Sequence, residues 1–304
     1  QLAFNPQSLE VQRKVVIEEF KQRYLNQPYG DVWLKFRPLI YTQHPYRWPT
    51  IGAGIQHIEE ADLEDVKAFF AKFYVPANAI LVLAGRVTFA EAKALAEKWF
   101  GPIPSGNKPV RQLPKEPVQT EDRRMEIVDK VPSNRFYKAY PVPGRYDEGF
   151  YAIDLMSDLM GRNETSFLYL ALVQNKRVFD SISVSQTGSI DPGLLIVSGQ
   201  VCDGVDLALA EKELDQAIHE FVDHSFETVD LQRVKNQAEA SLIFGEVEVL
   251  NRAMNLAMAA NAGDVNLVNL ESENLAKVTL SEVAYWAKKI FKEGKSNTLI
   301  YKKA

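Results

Sequence analysis

The same helix–turn–strand pattern occurs twice in this chain of 304 residues, at an offset of 217 residues. The first copy begins at Leu63 and ends in the apolar run Ala79–Gly85, and the second begins at Leu280 and ends in Asn297–Tyr301. A pattern that recurs at a fixed spacing is typical of duplicated domains. The chain is therefore expected to contain two similar domains, each of which ends in a helix followed by a strand.

The repeat also predicts that the first domain is incomplete. The second copy begins near Glu121, and the same offset places the start of the first copy roughly 95 residues before Gln1. The first domain is then expected to lack its initial strands. Their absence would leave a sheet edge and an apolar face without a partner.

A proline-rich segment separates the two copies. Five prolines fall within the sixteen residues of Pro102–Pro117, together with Ser105, Gly106 and Asn107. Such a composition is typical of a linker. The sequence therefore predicts a first domain over residues 1–104, a linker over 105–119 and a second domain over 120–304.

Capping residues and apolar spacing predict the individual elements. Asn5 and Pro6 start a helix that continues over Leu9–Leu25, and Asp62 starts another. The uninterrupted apolar run over residues 79–85 predicts a buried strand. The second domain is predicted to have strands over 123–131, 135–142, 178–186, 194–201 and 297–301. Its helices are predicted over 146–160, 165–174, 205–223, 228–244, 247–261 and 279–291. Strands with short connections and runs of helices predict an α+β fold, an antiparallel-rich sheet with helices on one face.

Composition excludes several classes of function. The net charge is −5 and the basic residues are scattered, which argues against nucleic-acid binding. No apolar run reaches the roughly 18 residues that a membrane span needs. The single cysteine, Cys202, excludes an internal disulfide and a cysteine-based metal cluster. The compartment stays open between cytoplasm and periplasm.

Four segments together carry a resemblance to a known family: residues 9–20, the loop His44–Gly52, the helix–strand unit 69–85, and residues 161–172. In their order and spacing they resemble the M16 metallopeptidases, which include pitrilysin, insulin-degrading enzyme and the mitochondrial processing peptidase. The resemblance covers essentially the whole chain. It implies two tandem M16-type α+β domains that form one half of a clamshell.

The resemblance also implies a zinc site. In the family, an inverted His-x-x-Glu-His motif supplies two ligands and the general-base Glu, and a Glu on a second helix is the third ligand. Carried over, Glu19 stands at this distant zinc-ligand position, or Glu18 if the alignment shifts by one residue. Gln12 stands two turns earlier, where the family often has a Glu near the metal ligand. None of the four histidines forms the motif: His44, His57, His219 and His224. Both His ligands and the general-base Glu are therefore expected upstream of Gln1.

A further departure indicates which half this chain resembles. The half without zinc supplies an Arg and a Tyr seven residues apart to hold the substrate. Val173 and Asp180 stand at those positions here. The chain therefore resembles the zinc-bearing half. A second M16 half, on the same polypeptide or on a separate subunit, is expected to supply the Arg and the Tyr.

The function that the resemblance implies is zinc-dependent hydrolysis of extended peptides inside a closed chamber. The chain alone is expected to be inactive and to hold no stoichiometric zinc, because Glu19 lacks its two His partners. Two alternatives stay open. One is a non-catalytic M16-like subunit that binds peptide or supports an active partner, which Gln12 favours. The other is an α+β oligomerisation module without a site. The His44 loop is expected to have a structural role.

Overall fold

The computed structural model describes residues 4–304, and the chain divides into two compact units. The first unit comprises the residues up to Arg23 together with Pro49–Pro114 and Ala240–Glu273, and the second comprises Tyr24–Trp48, Lys115–Glu239 and Asn274–Ala304. The chain crosses from the first unit to the second between Pro114 and Lys115, within the predicted linker 105–119. Because each unit is built from separate stretches, the predicted domains over 1–104 and 120–304 stay a prediction.

Eleven helices and five strands make up the described elements. The helices are α1 (Pro6–Phe20), α2 (Val32–Ile40), α3 (Ile55–Glu60), α4 (Leu63–Phe73), α5 (Phe89–Phe100), α6 (Phe150–Gly161), α7 (Leu207–Asp223), α8 (Thr228–Gly245), α9 (Val249–Ala262), α10 (Leu267–Lys277) and α11 (Leu280–Lys288). The strands are β1 (Arg123–Asp129), β2 (Arg135–Val142), β3 (Phe179–Gln186), β4 (Gly193–Val201) and β5 (Asn297–Lys303). Short π-helical segments cover 21–25, 169–175 and 289–293.

The predicted helix starts at Asn5 with Pro6 and at Asp62 are confirmed. The side chain of Asn5 accepts a hydrogen bond from the N–H of Ser8 at 2.8 Å, and Pro6 occupies the first helical position of α1. Asp62 and Thr88 form capping boxes at α4 and α5. Each cap satisfies a backbone N–H group that the helix itself leaves free. None of the helices in residues 4–304 has the length and hydrophobicity needed to cross a membrane.

The second unit contains a five-stranded sheet in the order β1-β5-β2-β4-β3. The last strand of the chain, β5, lies between β1, to which it is parallel, and β2, to which it is antiparallel. The β2–β4 and β4–β3 pairs are antiparallel. The predicted α+β fold with an antiparallel-rich sheet is thus confirmed.

Helices cover both faces of this sheet, whereas the sequence predicted helices on one face. On one face, the Tyr140 ring packs edge-on against Phe291, and Lys138 forms an ion pair with Asp215 of α7. The opposite face is covered by α2, which the sequence did not predict and which contains Pro38. Buried residues of this second core come from α2, from the strands and from the residues just after α2 and β1: Val32, Phe36, Ile40, Tyr41, Val131, Tyr137, Ala139, Leu194, Leu299 and Tyr301.

The prediction of a buried strand over Ala79–Gly85 is wrong. This stretch has no strand partner among the described residues, and Ile80, Leu81 and Leu83 are about half exposed. Phe69 of α4 is also exposed, at 57%. In the second unit the equivalent strand, β5, has a neighbour on each side. The apolar pattern therefore recurs in both units, but in the described chain the strand forms only where partner strands are present.

We expect Phe36→Ala to destabilise the second unit by about 3–5 kcal/mol, because the ring is fully buried between α2 and the sheet. Phe69→Ala is the matched control and should cost less than about 1 kcal/mol, because that ring is largely in solvent. Urea unfolding followed by circular dichroism and tryptophan fluorescence measures both values. Equal losses for the two variants would contradict the assignment of α2 to the core.

Candidate functional site

Glu19, the predicted zinc ligand, lies on α1, one residue before Phe20 ends the regular helix. Its Oε1 atom accepts an ion-pair contact from Arg23 Nη2 at 2.9 Å, and its side chain is 42% exposed. The neighbouring Glu18 pairs instead with Lys21 at 2.7 Å. The carboxylate of Glu19 is therefore accessible, and its observed partner is a basic side chain one turn further along the helix.

One face of α1 is anchored within the first unit. Phe20 is buried, and Arg13 donates from Nη2 to the carbonyl of Ala61 at 2.8 Å and from Nη1 to the carbonyls of Ile58 and Glu59. These carbonyls belong to the C-terminal end of α3, where a guanidinium also complements the negative end of the helix dipole. This anchoring determines which side of α1 faces outward.

The outward side carries Gln12 and Glu19 together with two valines. Gln12, Val15 and Glu19 follow each other at helical spacing, so they lie on one face. Val11 and Val15 are 54% and 55% exposed, and Gln12 is exposed as well. The predicted ligand therefore lies on a partly exposed helix face, beside two half-exposed valines.

The residues present do not by themselves form a complete zinc site. A catalytic zinc takes three protein ligands and a water, whereas no group of three or more His, Cys, Asp or Glu side chains within residues 4–304 is placed to hold a metal ion. Glu19 can offer one carboxylate donor. No histidine within residues 4–304 joins Glu19 in a group of three or more such side chains.

His44 belongs instead to a buried polar cluster of the second unit. It is 5% exposed, and its Nδ1 atom accepts from the N–H of Tyr46 at 3.2 Å. The ring proton is therefore assigned to Nε2, which lies 3.2 Å from Asp191 Oδ2 but lacks hydrogen-bond geometry. Tyr46 Oη accepts from the N–H of Asp191, and Tyr41 Oη donates to the carbonyl of Pro192. These contacts join the His44 loop to the start of β4.

Glu116 holds the same loop from the other side. Its Oε1 accepts from the N–H and hydroxyl of Thr42, each at 2.7 Å, and its Oε2 accepts from the N–H groups of Gln43 and His44 at 2.9 and 2.8 Å. Burial by itself would raise the pKa of Glu116. The backbone hydrogen bonds from His44, Thr42 and Gln43 outweigh it and hold that pKa below its ordinary value of 4.5.

The sequence singled out the loop but not the residues that fasten it. Glu116 lies in the proline-rich stretch, and Asp191 precedes β4; neither belongs to a motif. The predicted structural role of His44 agrees with the observed cluster. Val173 lies in the π-helical segment 169–175, and Asp180 lies on β3, where its carboxylate accepts from Gln200 Nε2 at 3.4 Å.

Comparison with known families gives a match over residues 60–238 to the model described as "Peptidase M16 inactive domain". The matched region is more than half of the chain. It begins before α4 and extends through most of α8, so it includes the whole proline-rich stretch and four of the five strands.

Individual proteins agree with this match. The chain is 25% identical over 295 residues to the "Zinc protease PqqE" of Helicobacter pylori. The aligned region covers 96% of this chain and 66% of that protein. A crystal structure of a protease from Helicobacter pylori superposes with a TM-score of 0.89 at 24% identity, over 99% of this chain and 73% of the other. A peptidase M16 inactive domain from Pseudomonas fluorescens superposes with a TM-score of 0.85 at 16% identity, over 100% and 72%. The chain thus spans about two thirds of the length of its curated relative.

We expect Glu116→Gln to lower the stability of the second unit by about 1–2 kcal/mol at pH 7, because three backbone N–H groups lose a charged acceptor that is partly exposed. A carboxylate with a lowered folded pKa contributes stability above its unfolded pKa, and that contribution is lost as the pH falls through the folded value. The difference from the unaltered protein should therefore shrink as the pH is lowered below about 4.5.

Glu121→Gln is the matched control, since Glu121 is exposed and lies shortly after the proline-rich segment. Urea unfolding at a series of pH values measures the effect. A difference that stays constant between neutral and acidic pH would show that the carboxylate charge of Glu116 does not stabilise the loop.

Proposed function

The chain belongs to the M16 peptidase family, and on that basis we propose that it forms most of the zinc-bearing half of a two-half metallopeptidase, with Glu19 as one zinc ligand. The observation that carries this proposal is the outward face of α1. It places an accessible carboxylate beside Val11 and Val15, which are half exposed. An acidic side chain beside exposed valines is what a helix would present to a second helix that brings further metal ligands.

The rest of the metal site would come from residues upstream of Gln1. The family resemblance places a His-x-x-Glu-His motif there, roughly 60 residues before Gln1 by the repeat offset. Its two His residues and Glu19 would make three ligands, and a zinc ion so held supplies an activated water for hydrolysis of a peptide bond. Gln12 would lie beside the ligand as a neutral hydrogen-bonding group where the family often has a charged one.

The uncovered segment 79–85 supports the same proposal. Its counterpart β5 lies between β1 and β2 in the second unit. We propose that two strands outside the described residues flank segment 79–85 in the same way and cover Ile80, Leu81 and Leu83. Those strands and the helix with the zinc motif would then complete one domain.

The partners follow from the same reasoning. We propose a peptide as substrate and a second M16 half, on the same polypeptide or on a separate subunit, that supplies an Arg and a Tyr. Val173 and Asp180 at the corresponding positions of this chain support that division, because neither offers a guanidinium or a phenol. The name of the Helicobacter pylori relative, a zinc protease, also supports the choice of chemistry.

A second candidate function is a non-catalytic M16 subunit that binds peptide or supports an active partner. Two observations favour it. Gln12 lacks the charge often found at its position, and the family model that matches residues 60–238 is described as an inactive domain. The sequence upstream of Gln1 distinguishes the candidates, since a non-catalytic subunit would lack an intact His-x-x-Glu-His motif.

In a chain that carries the proposed upstream segment, we expect Glu19→Gln to lower zinc affinity and peptidase rate by more than about 100-fold, because even the neighbours of metal ligands contribute about 10- to 100-fold. Glu18→Gln is the matched control and should change both by less than about threefold, since Glu18 forms an exposed pair with Lys21. Zinc content by mass spectrometry and cleavage of a fluorogenic peptide measure the two effects. Full zinc occupancy in Glu19→Gln would overturn the ligand assignment.

The chain of 304 residues alone should hold no stoichiometric zinc after dialysis against a micromolar zinc solution, because a single carboxylate is a weak site for this metal. Elemental analysis of the purified chain is the measurement. One zinc per chain that disappears in Glu19→Gln would contradict this expectation and would mean that the chain assembles a site of its own.

A further inference from the structure

A notch in the second unit lies where β2 continues beyond the end of its pairing with β5. β2 pairs with β4 from Arg135 to Val142, but its pairing with β5 ends at Ala139, opposite Asn297. The last three residues of β2 therefore have a strand on one side only. A cavity of about 330 Å³ lies beside this free stretch.

The free side of β2 presents a backbone acceptor. Leu194 of β4 stands opposite Pro141, and both of its backbone polar groups point to the β3 side: its N–H donates to Thr187 Oγ1 at 2.8 Å and its carbonyl accepts from the N–H of Thr187 at 2.9 Å. Opposed residues of an antiparallel pair direct these groups either toward each other or away from each other. The carbonyl of Pro141 therefore points away from β4, to the side where β5 has ended. Proline adds no N–H there.

The remaining wall of the notch is apolar and rigid. Trp286 and Ile290 are buried at 8% and 4% exposure, and Val142 and Pro143 complete the wall beside them. The Trp286 ring packs against Gly149, whose φ is +89° and where any Cβ atom would overlap the ring. The indole is therefore held in one orientation by a position that favours glycine.

Two lysines give the notch a positive rim. Lys289 Nζ lies 4.4 Å from the centroid of the Trp286 ring and 5.4 Å from that of Tyr285, so cation–π contacts hold it in place. Lys295 is the second lysine that lines the notch. Of the described residues that line the notch, none is acidic. Asp122 lies close enough to Lys295 to feel its charge, but its carboxylate already accepts from the N–H and hydroxyl of Ser296 at 2.7 and 3.0 Å.

We propose that this notch binds the C-terminal residue of a peptide whose last side chain is apolar. The apolar wall takes the side chain, the ammonium groups of Lys289 and Lys295 take the terminal carboxylate, and the carbonyl of Pro141 accepts the last peptide N–H. A fatty acid would match the wall and the charge but would leave that carbonyl without a donor. The proposal requires neither Glu19 nor a metal, so its outcome is independent of the zinc experiments.

The test is a calorimetric titration of the 304-residue chain with N-acetyl-Ala-Ala-Leu. We expect saturable binding, with an affinity about tenfold higher for the free acid than for its C-terminal amide, because only the acid carries the charge. The depsipeptide in which an ester oxygen replaces the last N–H should also bind more weakly, as should 4-methylpentanoate, which lacks the amide. Absence of saturable binding, or equal affinity for acid and amide, would overturn the proposal.

Variants locate the binding. The double change Lys289→Gln and Lys295→Gln should weaken binding of the acid by about tenfold and leave the affinity of the amide unchanged. Lys288→Gln with Lys292→Gln is the control: it removes the same charge from the same stretch of chain, but neither residue lines the notch. An equal loss in both double variants would show only non-specific attraction and would overturn the site. The comparison of acid with amide uses the unaltered protein, so it stands whether or not a variant folds.

Discussion

The second unit depends on the insertion of its last strand between two of its earliest. β5 pairs with β1 in parallel and with β2 in antiparallel orientation, so its hydrogen bonds close loops of more than 150 residues. Closing such a loop is entropically costly, and the cost is offset only when both faces of the sheet are buried. Leu299 and Tyr301 face α2 on one side, and Ile300 faces the opposite core; all three are at most 1% exposed.

The first unit shows what the same pattern does without partner strands in the described chain. Its segment 79–85 has the apolar character of β5 and follows a capped helix in the same way, yet it is exposed and unpaired among residues 4–304. The exposed face of α1, with Glu19 and the two valines beside it, belongs to this unit. The candidate metal ligand and the unpaired segment are thus both exposed in the described chain, and the proposed function assigns a partner element to each. The exposure of both features is what links the proposed function to the unpaired apolar segment of the first unit.

Local signals predicted the elements well, and long-range contacts were predicted poorly. Asn5 with Pro6 and the capping box at Thr279 are encoded within a few residues, and β2 was predicted with its observed bounds. The sequence predicted neither α3 nor α10. α2 was also missed, because Pro38 interrupts its pattern and its stability comes from packing on the sheet. The partnership of Glu116 with the His44 loop was also invisible, because more than 70 residues separate the groups and no motif links them.

The sequence by itself determined the family, the α+β class, most of the helices and strands, and Glu19 as the candidate ligand, because these depend on local spacing and on motifs in a fixed order. The tertiary structure decided which apolar segments are buried, which side of α1 faces outward, and where β2 extends beyond β5 to leave the notch at Pro141. Those properties depend on which distant segments meet. The hydrophobic effect supplies the driving force for burial but carries no direction, so only the assembled chain determines which surfaces are covered.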